Sequence, residues 1–372
     1  DHRDLHSFPT RRSSDLKVNP TKDAGADYNC NGIFGKNSQG KDYKSVLCNN
    51  TNQMGFAVIG DSVGAHFEFP AKWFNGSQWG NDTFHDFVTR GLDEFDLPHL
   101  SGWTGYINDS AEVPSRSIYQ YLYNRNKCNF RDFQNAGING ADSYKEIEYI
   151  KQAFKRDQQN DYPMLVFLEL IGNDVCSGGY HMTNVTNFKQ NILTILDYLD
   201  TVLPAGSHVV TVGVADGRVL YDNLHNRTHP LGVTYAEFYD YLMCLGKNPC
   251  VGWLNSNETT RNLTSERAAN LSQVYRDILA SGKTYKNFDW TYYDFPATTI
   301  INNWKAQGKD PALLIEPVDG FHPGQQFNAL MADYFWQALL RDKPEWLGPV
   351  NPNNDLITQL FGNQGGYGTH DS

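Results

Sequence analysis

A serine, a histidine and a carboxylate stand where they could form a nucleophile and its base. Ser62 follows the apolar run GFAVIG (55–60) and one aspartate, so a buried strand and a glycine turn would place its hydroxyl at a sheet edge. Asp319 and His322 lie three residues apart in EPVDGFHP (316–323). At that spacing a carboxylate can orient an imidazole, whose other nitrogen accepts a serine proton. Either motif alone also fits a plain turn, but together they predict nucleophilic catalysis.

Two further segments supply hydrogen-bond donors suited to an oxyanion. Asn173 follows the apolar run PMLVFLEL (163–170), and Gly140 closes the motif N-x-G-x-x-G. The backbone N–H groups of Ser62 and Gly140 and the side-chain amide of Asn173 would together stabilise the tetrahedral intermediate of an ester. As alternatives, Asn173 could cap a strand end, and Gly140 could form a turn that enters a helix.

The order of these motifs resembles one enzyme family. GDS, N-x-G-x-x-G, GND and a C-terminal DxxH follow one another as in the SGNH (GDSL) hydrolases, whose serine is not in the GxSxG elbow of other hydrolases. The resemblance implies an α/β fold, a flavodoxin-like three-layer α/β/α sandwich with a parallel sheet. It makes Ser62 the nucleophile, His322 the general base and acid and Asp319 its orienting partner. Gly140 and Asn173 would complete the oxyanion hole with the N–H of Ser62.

Longer blocks resemble the catalytic subunit of the acyloxyacyl hydrolase branch of that family. The similarity runs from about residue 17 to about residue 366, through GDSVGAHF, RDFQNAGINGADS, IGNDVCSG, DGRVLYDNLHNRTHPLG, LTSERA and EPVDGFHP. It implies removal of secondary fatty acyl chains from the lipid A of bacterial lipopolysaccharide through an acyl-enzyme. It also implies a disulfide-linked saposin-like small subunit, absent from this chain, and peripheral contact with membranes or micelles.

Two other functions stay open at this point. One is a broader GDSL lipase, phospholipase or carbohydrate O-acetylesterase; the other is a catalytically silent glycoprotein, which the filled catalytic positions disfavour. A lipid A deacylase needs an apolar tunnel beside Ser62 and cationic groups for the lipid phosphates. Arg125, Lys127 and Arg131 precede the Gly140 motif and are predicted to contact phosphate, with a solvated basic face as the alternative.

The segment DAGADYNCNGI (23–33) predicts a structural Ca²⁺ site. Alternating oxygen side chains around a glycine turn are how a short loop encloses calcium, and the matching segment of the family lies in a calcium-binding region. Counted from Asp27, position 12 is Ser38 and not the bidentate Glu, which excludes an EF-hand. An Asx-rich turn without metal is the alternative. The predicted ligands are Asp23, Asp27, Asn29, Asn31 and the backbone carbonyl of Ile33.

Cysteines and glycosylation signals predict a secreted, extracellular protein. The six cysteines are even in number and include no CxxC pair. The chain has nine Asn-x-Ser/Thr sites, against about four expected by chance. The family resemblance adds endosomes and lysosomes as compartments. Cys30 with Cys48 and Cys244 with Cys250 are the shortest disulfide loops among the 15 ways to pair six cysteines. The glycosylation sites are Asn49, Asn75, Asn81, Asn108, Asn184, Asn226, Asn257, Asn262 and Asn270.

The elements that must position the catalytic motifs predict a single α/β domain. The chain has 372 residues, of which 40% are hydrophobic, and a net charge of −11 that disfavours a nucleic-acid binder. Buried strands are predicted at 55–60, 163–170 and 208–214, and helices at 187–203, 264–281 and 325–341. Residues 1–16 resemble translated adapter sequence and are excluded. The predicted division is a calcium-loop segment at 17–50, the catalytic domain at 51–345 and a tail at 346–372.

Overall fold

A five-stranded parallel sheet forms the centre of the computed structural model, which describes residues 27, 30–74, 76–80, 83–107 and 115–367. The spatial order of the strands is β2-β1-β3-β4-β5, so β1 and β3 have neighbours on both sides. Their carboxyl ends therefore lie at one sheet edge, where α/β proteins place their ligands. The strands are β1 (Gly55–Gly60), β2 (Phe133–Gly137), β3 (Met164–Glu169), β4 (Ser207–Val212) and β5 (Phe288–Tyr293).

Helices connect the strands and cover both faces of the sheet. Within the described ranges, no helix is both long enough and apolar enough to span a membrane. The helices are α1 (Tyr43–Cys48), α2 (Ser62–Ala65), α3 (Thr83–Leu92), α4 (Ile118–Arg125), α5 (Ser143–Ala153), α6 (Asn173–Cys176), α7 (Val185–Val202), α8 (Arg218–Leu224), α9 (Tyr235–Cys244), α10 (Glu258–Ala280), α11 (Ala297–Ala306), α12 (Gln325–Asp342), α13 (Pro344–Leu347) and α14 (Asn354–Phe361).

The central strand β3 shows why the fold has three layers. Its successive side chains point to opposite faces, so Val166 and Leu168 pack in one core while Leu165 and Phe167 pack in the other. Helices α5, α7 and α10 supply the first core, and α4, α11 and α12 supply the second. Every residue of β3 is buried, as expected for a strand covered on both faces. The predicted α/β/α sandwich is confirmed.

The apolar runs locate the inner strands but not the two at the edges. β1, β3 and β4 match the predicted strands within two residues. The edge strands differ because β2 reads FQNAG, with one buried residue, and β5 carries an exposed aspartate. Segment 17–50, predicted to be loop throughout, contains α1, whose Leu47 is buried. The predicted tail contains α14, whose Ile357 packs with Leu47 in a small satellite core.

The two disulfides do not close the shortest loops that the six cysteines allow. Cys48 pairs with Cys128 and Cys176 pairs with Cys250, while Cys30 and Cys244 are unpaired. The two shortest loops, Cys30–Cys48 and Cys244–Cys250, do not form, because closing a longer loop adds little entropy cost and the fold decides which thiols meet. The observed bridges span 80 and 74 residues. One joins α1 to the segment before β2, and the other joins α6 to the loop before α10.

Candidate active site

Ser62 is the first residue of α2, immediately beyond the carboxyl end of β1. Asp61 fixes this turn with both carboxylate oxygens. One accepts the N–H of Val63 at 3.0 Å, and the other accepts the N–H of Ile171, beyond β3, at 2.8 Å. The nucleophile turn is therefore tied to the neighbouring strand as well as to its own helix. The sequence motif contained Asp61, but its role became visible only when β1 and β3 paired.

The structure brings the three predicted triad residues together across 260 positions of sequence. Nε2 of His322 lies 2.8 Å from Oγ of Ser62, and Nδ1 lies 2.5 Å from Oδ2 of Asp319. The second oxygen, Oδ1 of Asp319, accepts the N–H groups of Phe321 and His322 at 2.7 and 3.0 Å. All three side chains are buried. This arrangement allows a proton to pass from Ser62 to an imidazole whose tautomer the carboxylate sets.

The pKa values of two neighbouring acids, Glu316 and Asp319, are shifted in opposite directions. Burial alone would raise the pKa of Asp319, but the charge and hydrogen bond of His322 hold it below its ordinary value. Burial and the adjacent Asp319 charge raise the pKa of Glu316 to about 9. Oε2 of Glu316 accepts the N–H groups of Val318 and Asp319 at 2.9 and 2.7 Å. Near pH 7 Glu316 is therefore protonated and neutral and holds the loop through these two hydrogen bonds, whereas Asp319 is charged.

The predicted oxyanion donors lie at the ends of the strands that flank β1. Asn173 begins α6 after β3 and lines the same cavity as Ser62 and His322. Its amide nitrogen lies 3.4 Å from Oδ2 of Asp61, the residue that also anchors the nucleophile turn. Gly140 follows β2, with a φ of +71° that glycine adopts without strain. Their catalytic roles remain predictions.

Aromatic rings enclose the imidazole. The ring of Phe67 lies 4.6 Å from that of His322 between centroids, and Phe321 contacts it edge-on at 4.8 Å. Phe67 in turn contacts Phe69 and Phe95. These rings lower the local polarity around the Ser62–His322 hydrogen bond, which strengthens electrostatic interactions within the site.

An apolar cavity opens directly beside the nucleophile. Ser62, Asn173 and His322 lie in its wall, so a group bound in the cavity would meet the serine hydroxyl. Its wall is mostly aliphatic and aromatic, with a few polar residues among the lining. The sequence predicted a need for such a tunnel but none of its walls, which come from loops and helices distant in sequence. The apolar lining includes Ile171, Val219, Leu220, Trp253, Phe295, Ile301, Leu314 and Phe327.

The predicted phosphate contacts are not brought to this site. Arg125, Lys127 and Arg131 precede the amino end of β2, at the sheet edge opposite to Ser62. Arg125 donates to the carbonyl of Gly348, and Arg131 donates to the carbonyl of Gly366. Lys127 lies 4.8 Å over the ring of Tyr123. Two of these side chains thus hold the C-terminal segment, and phosphate binding by the three residues stays a prediction.

In the described part of the predicted calcium loop, the side-chain oxygens of Asp27 and Asn31 accept backbone N–H groups of the loop itself. The carboxylate of Asp27 accepts the N–H groups of Asn31 and Gly32 at 3.1 and 2.7 Å, and Oδ1 of Asn31 accepts the N–H of Ile33 at 3.0 Å. Carboxylate and amide oxygens gathered around a glycine turn fit the ligand preference of Ca²⁺. Asp23 and Asn29 lie outside the described residues. Among the residues that are described, no cluster of three His, Cys, Asp or Glu side chains is suited to a metal.

The predicted glycosylation sites that the structure describes all lie on the surface. Asn184 and Asn257 also cap the amino ends of α7 and α10 through their side-chain oxygens. Asn75, Asn81 and Asn108 lie outside the described residues. The exposed sites are Asn49, Asn184, Asn226, Asn257, Asn262 and Asn270.

Comparison with known proteins places this arrangement in a family. Residues 56–335 match the model of the GDSL-like lipase/acylhydrolase family. Human acyloxyacyl hydrolase is 42% identical over 370 residues, which are 97% of this chain and 63% of the human protein. The mouse enzyme is 40% identical over 98% of this chain and 68% of its own length. The rabbit enzyme is 42% identical over 97% of this chain and 67% of its own length.

The chain thus spans about two thirds of the length of these curated relatives. A solved structure, that of a gut microbial diltiazem-metabolizing enzyme, has a TM-score of 0.41 and 14% identity, covering 78% of this chain and 48% of its own. That similarity is too low to indicate a shared function. The matched residues include Ser62, Gly140, Asn173, Asp319 and His322, and the family match agrees with the observed parallel sheet. The chain belongs to the GDSL-like lipase/acylhydrolase family.

Proposed function

We propose that this chain is a serine ester hydrolase that removes secondary fatty acyl chains from the lipid A of bacterial lipopolysaccharide. The observation that carries the proposal is the Ser62–His322 hydrogen bond, 2.8 Å long, in the wall of a cavity that is otherwise lined mostly by apolar side chains. The similarity to acyloxyacyl hydrolases supports the choice of substrate.

The mechanism follows from the hydrogen-bonded chain of three residues. Oγ of Ser62 attacks the ester carbonyl while Nε2 of His322 takes its proton, and Asp319 stabilises the imidazolium. The N–H groups of Ser62 and Gly140 and the amide of Asn173 receive the oxyanion. The imidazolium then protonates the departing alkoxide, which leaves an acyl-enzyme on Ser62. Water, deprotonated by His322, attacks this ester and releases the fatty acid.

The cavity favours a long acyl chain over an acetyl group. A small acetyl ester would leave most of the apolar wall without a partner, whereas burying a fatty chain gains about 0.8 kcal/mol per methylene removed from water. The carbohydrate O-acetylesterase alternative is therefore disfavoured. A broader lipase or phospholipase has the same need for an acyl cavity, so the substrate assay must include phospholipid.

The test is to identify the fatty acids released from purified lipopolysaccharide by mass spectrometry. The chain should release secondary acyl chains and leave the primary, sugar-linked chains in place, with slower release from phospholipid vesicles. Ser62→Ala should lower hydrolysis by several orders of magnitude while leaving the thermal unfolding unchanged, because it removes the nucleophile but little packing. An active Ser62→Ala protein would refute the mechanism. Release from phospholipid but not from lipopolysaccharide would refute the substrate.

We further propose a secreted or endosomal-lysosomal location and N-glycosylation. Two disulfides and the six exposed sites support an oxidising, glycosylating compartment. Protein purified from the medium of secreting cells should lose mass on treatment with an endoglycosidase. Retention of the protein in the cytosol, or no mass change, would contradict this proposal.

A saposin-like small subunit joined by a disulfide is proposed as partner, with membranes or micelles as the surface where the pair works. Within the described residues, Cys30 and Cys244 form no disulfide, and the side chain of Cys244 is exposed. In a longer protein that carries the small subunit, either Cys30→Ser or Cys244→Ser should abolish the covalent link on a non-reducing gel. A link that survives both substitutions would exclude these cysteines.

A structural Ca²⁺ is proposed in the loop of Asp23, Asp27, Asn29, Asn31 and the carbonyl of Ile33. The loop is joined to the C-terminal segment, since Nε2 of Gln364 donates to the carbonyl of Asn31 at 2.6 Å. Calcium would therefore stabilise this packing and take no part in the ester chemistry. Added Ca²⁺ should raise the melting temperature, and Asp27→Ala should remove that response. Loss of activity on chelation without loss of stability would contradict a structural role.

A further inference from the structure

Three side chains from one segment bind the backbone of the loop that carries Asp319 and His322. Nε2 of His229 lies 2.7 Å from the carbonyl oxygen of Val318. The hydroxyl of Tyr235 donates to the carbonyl of Pro317 at 2.5 Å, and that of Tyr239 donates to the carbonyl of Gly320 at 2.8 Å. The three accepting carbonyls flank Asp319 on both sides. We call His229, Tyr235 and Tyr239 the loop clamp.

We propose that the loop clamp is a positioning device, which holds His322 at the distance and angle needed to take the proton of Ser62. The inference rests on the proposed serine mechanism but not on the identity of its lipid substrate. The three side chains donate to backbone carbonyls of the Asp319–His322 loop and not to Ser62, so they act through the backbone of that loop.

The loop's own hydrogen bonds set its shape but not its place. Glu316 accepts the N–H groups of Val318 and Asp319, and the N–H of Glu316 donates to the carbonyl of His322 at 2.8 Å. All of these contacts join residues within the loop. The clamp comes from the loop after α8 and from α9, so it ties the folded loop to the body of the domain. A shift of the loop as one unit is what the clamp opposes.

The two hydrogen bonds of the His229 ring fix which of its nitrogens carries the proton. Its Nδ1 accepts the N–H of Leu231 at 3.1 Å, so the ring proton is on Nε2 and faces Val318. The side chain is buried, and its ring stacks on Phe238 with centroids 3.9 Å apart. Burial lowers the pKa of His229, which keeps the ring in the neutral form that both hydrogen bonds require. Orientation and protonation are therefore both fixed.

The close fit extends to Gly320. Its φ is +62°, and a β-carbon there would lie 2.5 Å from the hydroxyl oxygen of Tyr239 and 2.8 Å from the ring of Tyr235. The clamp tyrosines thus pack directly against the loop backbone as well as donating to it. Because Val318 and Gly320 are buried, loss of the donor to either carbonyl leaves an unsatisfied acceptor that the loop can relieve only by moving.

The test measures the reactivity of Ser62 itself. A fluorophosphonate probe is attacked by Oγ of Ser62; the O–P bond forms, fluoride leaves, and His322 takes the serine proton. The rate of labelling therefore reports whether His322 is in place, and it requires no lipid. Tyr235→Phe, Tyr239→Phe and His229→Asn each remove one donor. We expect each to slow labelling about tenfold, less than the about 10² that a 1 Å displacement can cost.

Two matched variants separate positioning from general stability. His229→Gln places an amide donor near the position of Nε2 and should restore most of the rate. Tyr275→Phe removes another fully buried hydroxyl, one for which the described part of the chain offers no hydrogen-bond partner, and should leave the rate unchanged. All rates are compared well below the lowest melting temperature of the set.

Each result bears on the proposal. Slow labelling by the three donor-deleting variants, with normal labelling by His229→Gln and Tyr275→Phe, supports it. Normal labelling by the three variants overturns it, as does a His229→Gln protein as slow as His229→Asn. A Tyr275→Phe protein slowed to the same extent would show a general packing effect and also overturn it. If the wild-type chain labels but releases no fatty acid from lipopolysaccharide, only the proposed substrate fails.

Discussion

Glu169 lies directly beneath Gly64 in the nucleophile turn. A β-carbon added at Gly64 would be 2.4 Å from Oε1 of Glu169, and one added at Gly60 would be 1.9 Å from the Glu169 carbonyl oxygen. Glu169 ends β3 and is fully buried, and burial together with the charge of Asp61 raises its pKa well above the ordinary value. The turn that presents Ser62 therefore rests on a buried acid, with glycines on both sides because no side chain would fit.

This contact predicts that Gly64→Ala impairs both stability and catalysis. The new methyl group must displace Glu169 or the turn, and overpacking of this kind typically costs about 1–3 kcal/mol. We expect a lower melting temperature and a fall in kcat, measured on a soluble ester. Gly91→Ala is the control, because a β-carbon at that exposed helix position meets nothing within 4 Å. Wild-type stability of Gly64→Ala would show that the turn is not tightly packed.

Glu316→Gln should keep activity, and its stability relative to the wild type should increase as the pH rises. The pKa of Glu316 is about 9 in the folded state and 4.5 in its ordinary state. Between these values the folded protein holds a proton that the unfolded chain has lost, so rising pH destabilises the wild type. Glutamine does not titrate and can still accept both loop N–H groups.

The advantage of Glu316→Gln in melting temperature should thus be small near pH 5 and larger at pH 8, as measured by thermal unfolding across the pH range. The exposed Glu266→Gln serves as control and should show no such trend. A Glu316→Gln protein whose kcat falls a hundredfold would mean that the charge of Glu316 contributes to catalysis. A stability difference that does not vary with pH would contradict a raised pKa.

Asn173→Ala should reduce kcat about 10²–10³-fold, the usual effect of removing one oxyanion donor. The side chain lines the cavity beside Ser62 and makes one long contact of 3.4 Å to Asp61, so its loss should change stability little. Steady-state kinetics on a soluble ester give kcat and KM separately. An effect confined to KM would assign Asn173 to substrate binding instead.

Val219→Phe should shorten the range of acyl chains that the cavity accepts. Val219 lines the cavity and is only half-buried, so a larger side chain can be placed there without rebuilding the core. We expect kcat/KM for dodecanoyl esters to fall at least about tenfold while acetyl ester hydrolysis stays normal, since each lost methylene contact is worth about 0.8 kcal/mol. Val233→Phe, at an exposed position, is the control. Equal loss for both chain lengths would indicate damage to the catalytic groups.

The sequence alone determined the family and the parallel sheet, and it predicted that Ser62, Asp319 and His322 would meet, as they do in the structure. Each catalytic residue lies in a short contiguous motif, and β1 and β3 are buried on both faces, so their apolar runs are visible without any tertiary information. A motif that follows a buried parallel strand must reach the carboxyl edge of the sheet, which is why spacing and strand pattern were sufficient. The same reasoning missed β2 and β5, because an edge strand has less apolar surface to bury.

Only the tertiary structure decided what joins residues distant in sequence. The pairing of Cys48 with Cys128, the cavity wall, the hydrogen bond of Asp61 to Ile171 and the loop clamp each depend on how helices and loops pack around the sheet. The position of Arg125 is a further example, since its charge suggested a phosphate site while packing gave it the carbonyl of Gly348. A local pattern specifies which face of an element is buried, but the partner on that face is chosen by the whole fold.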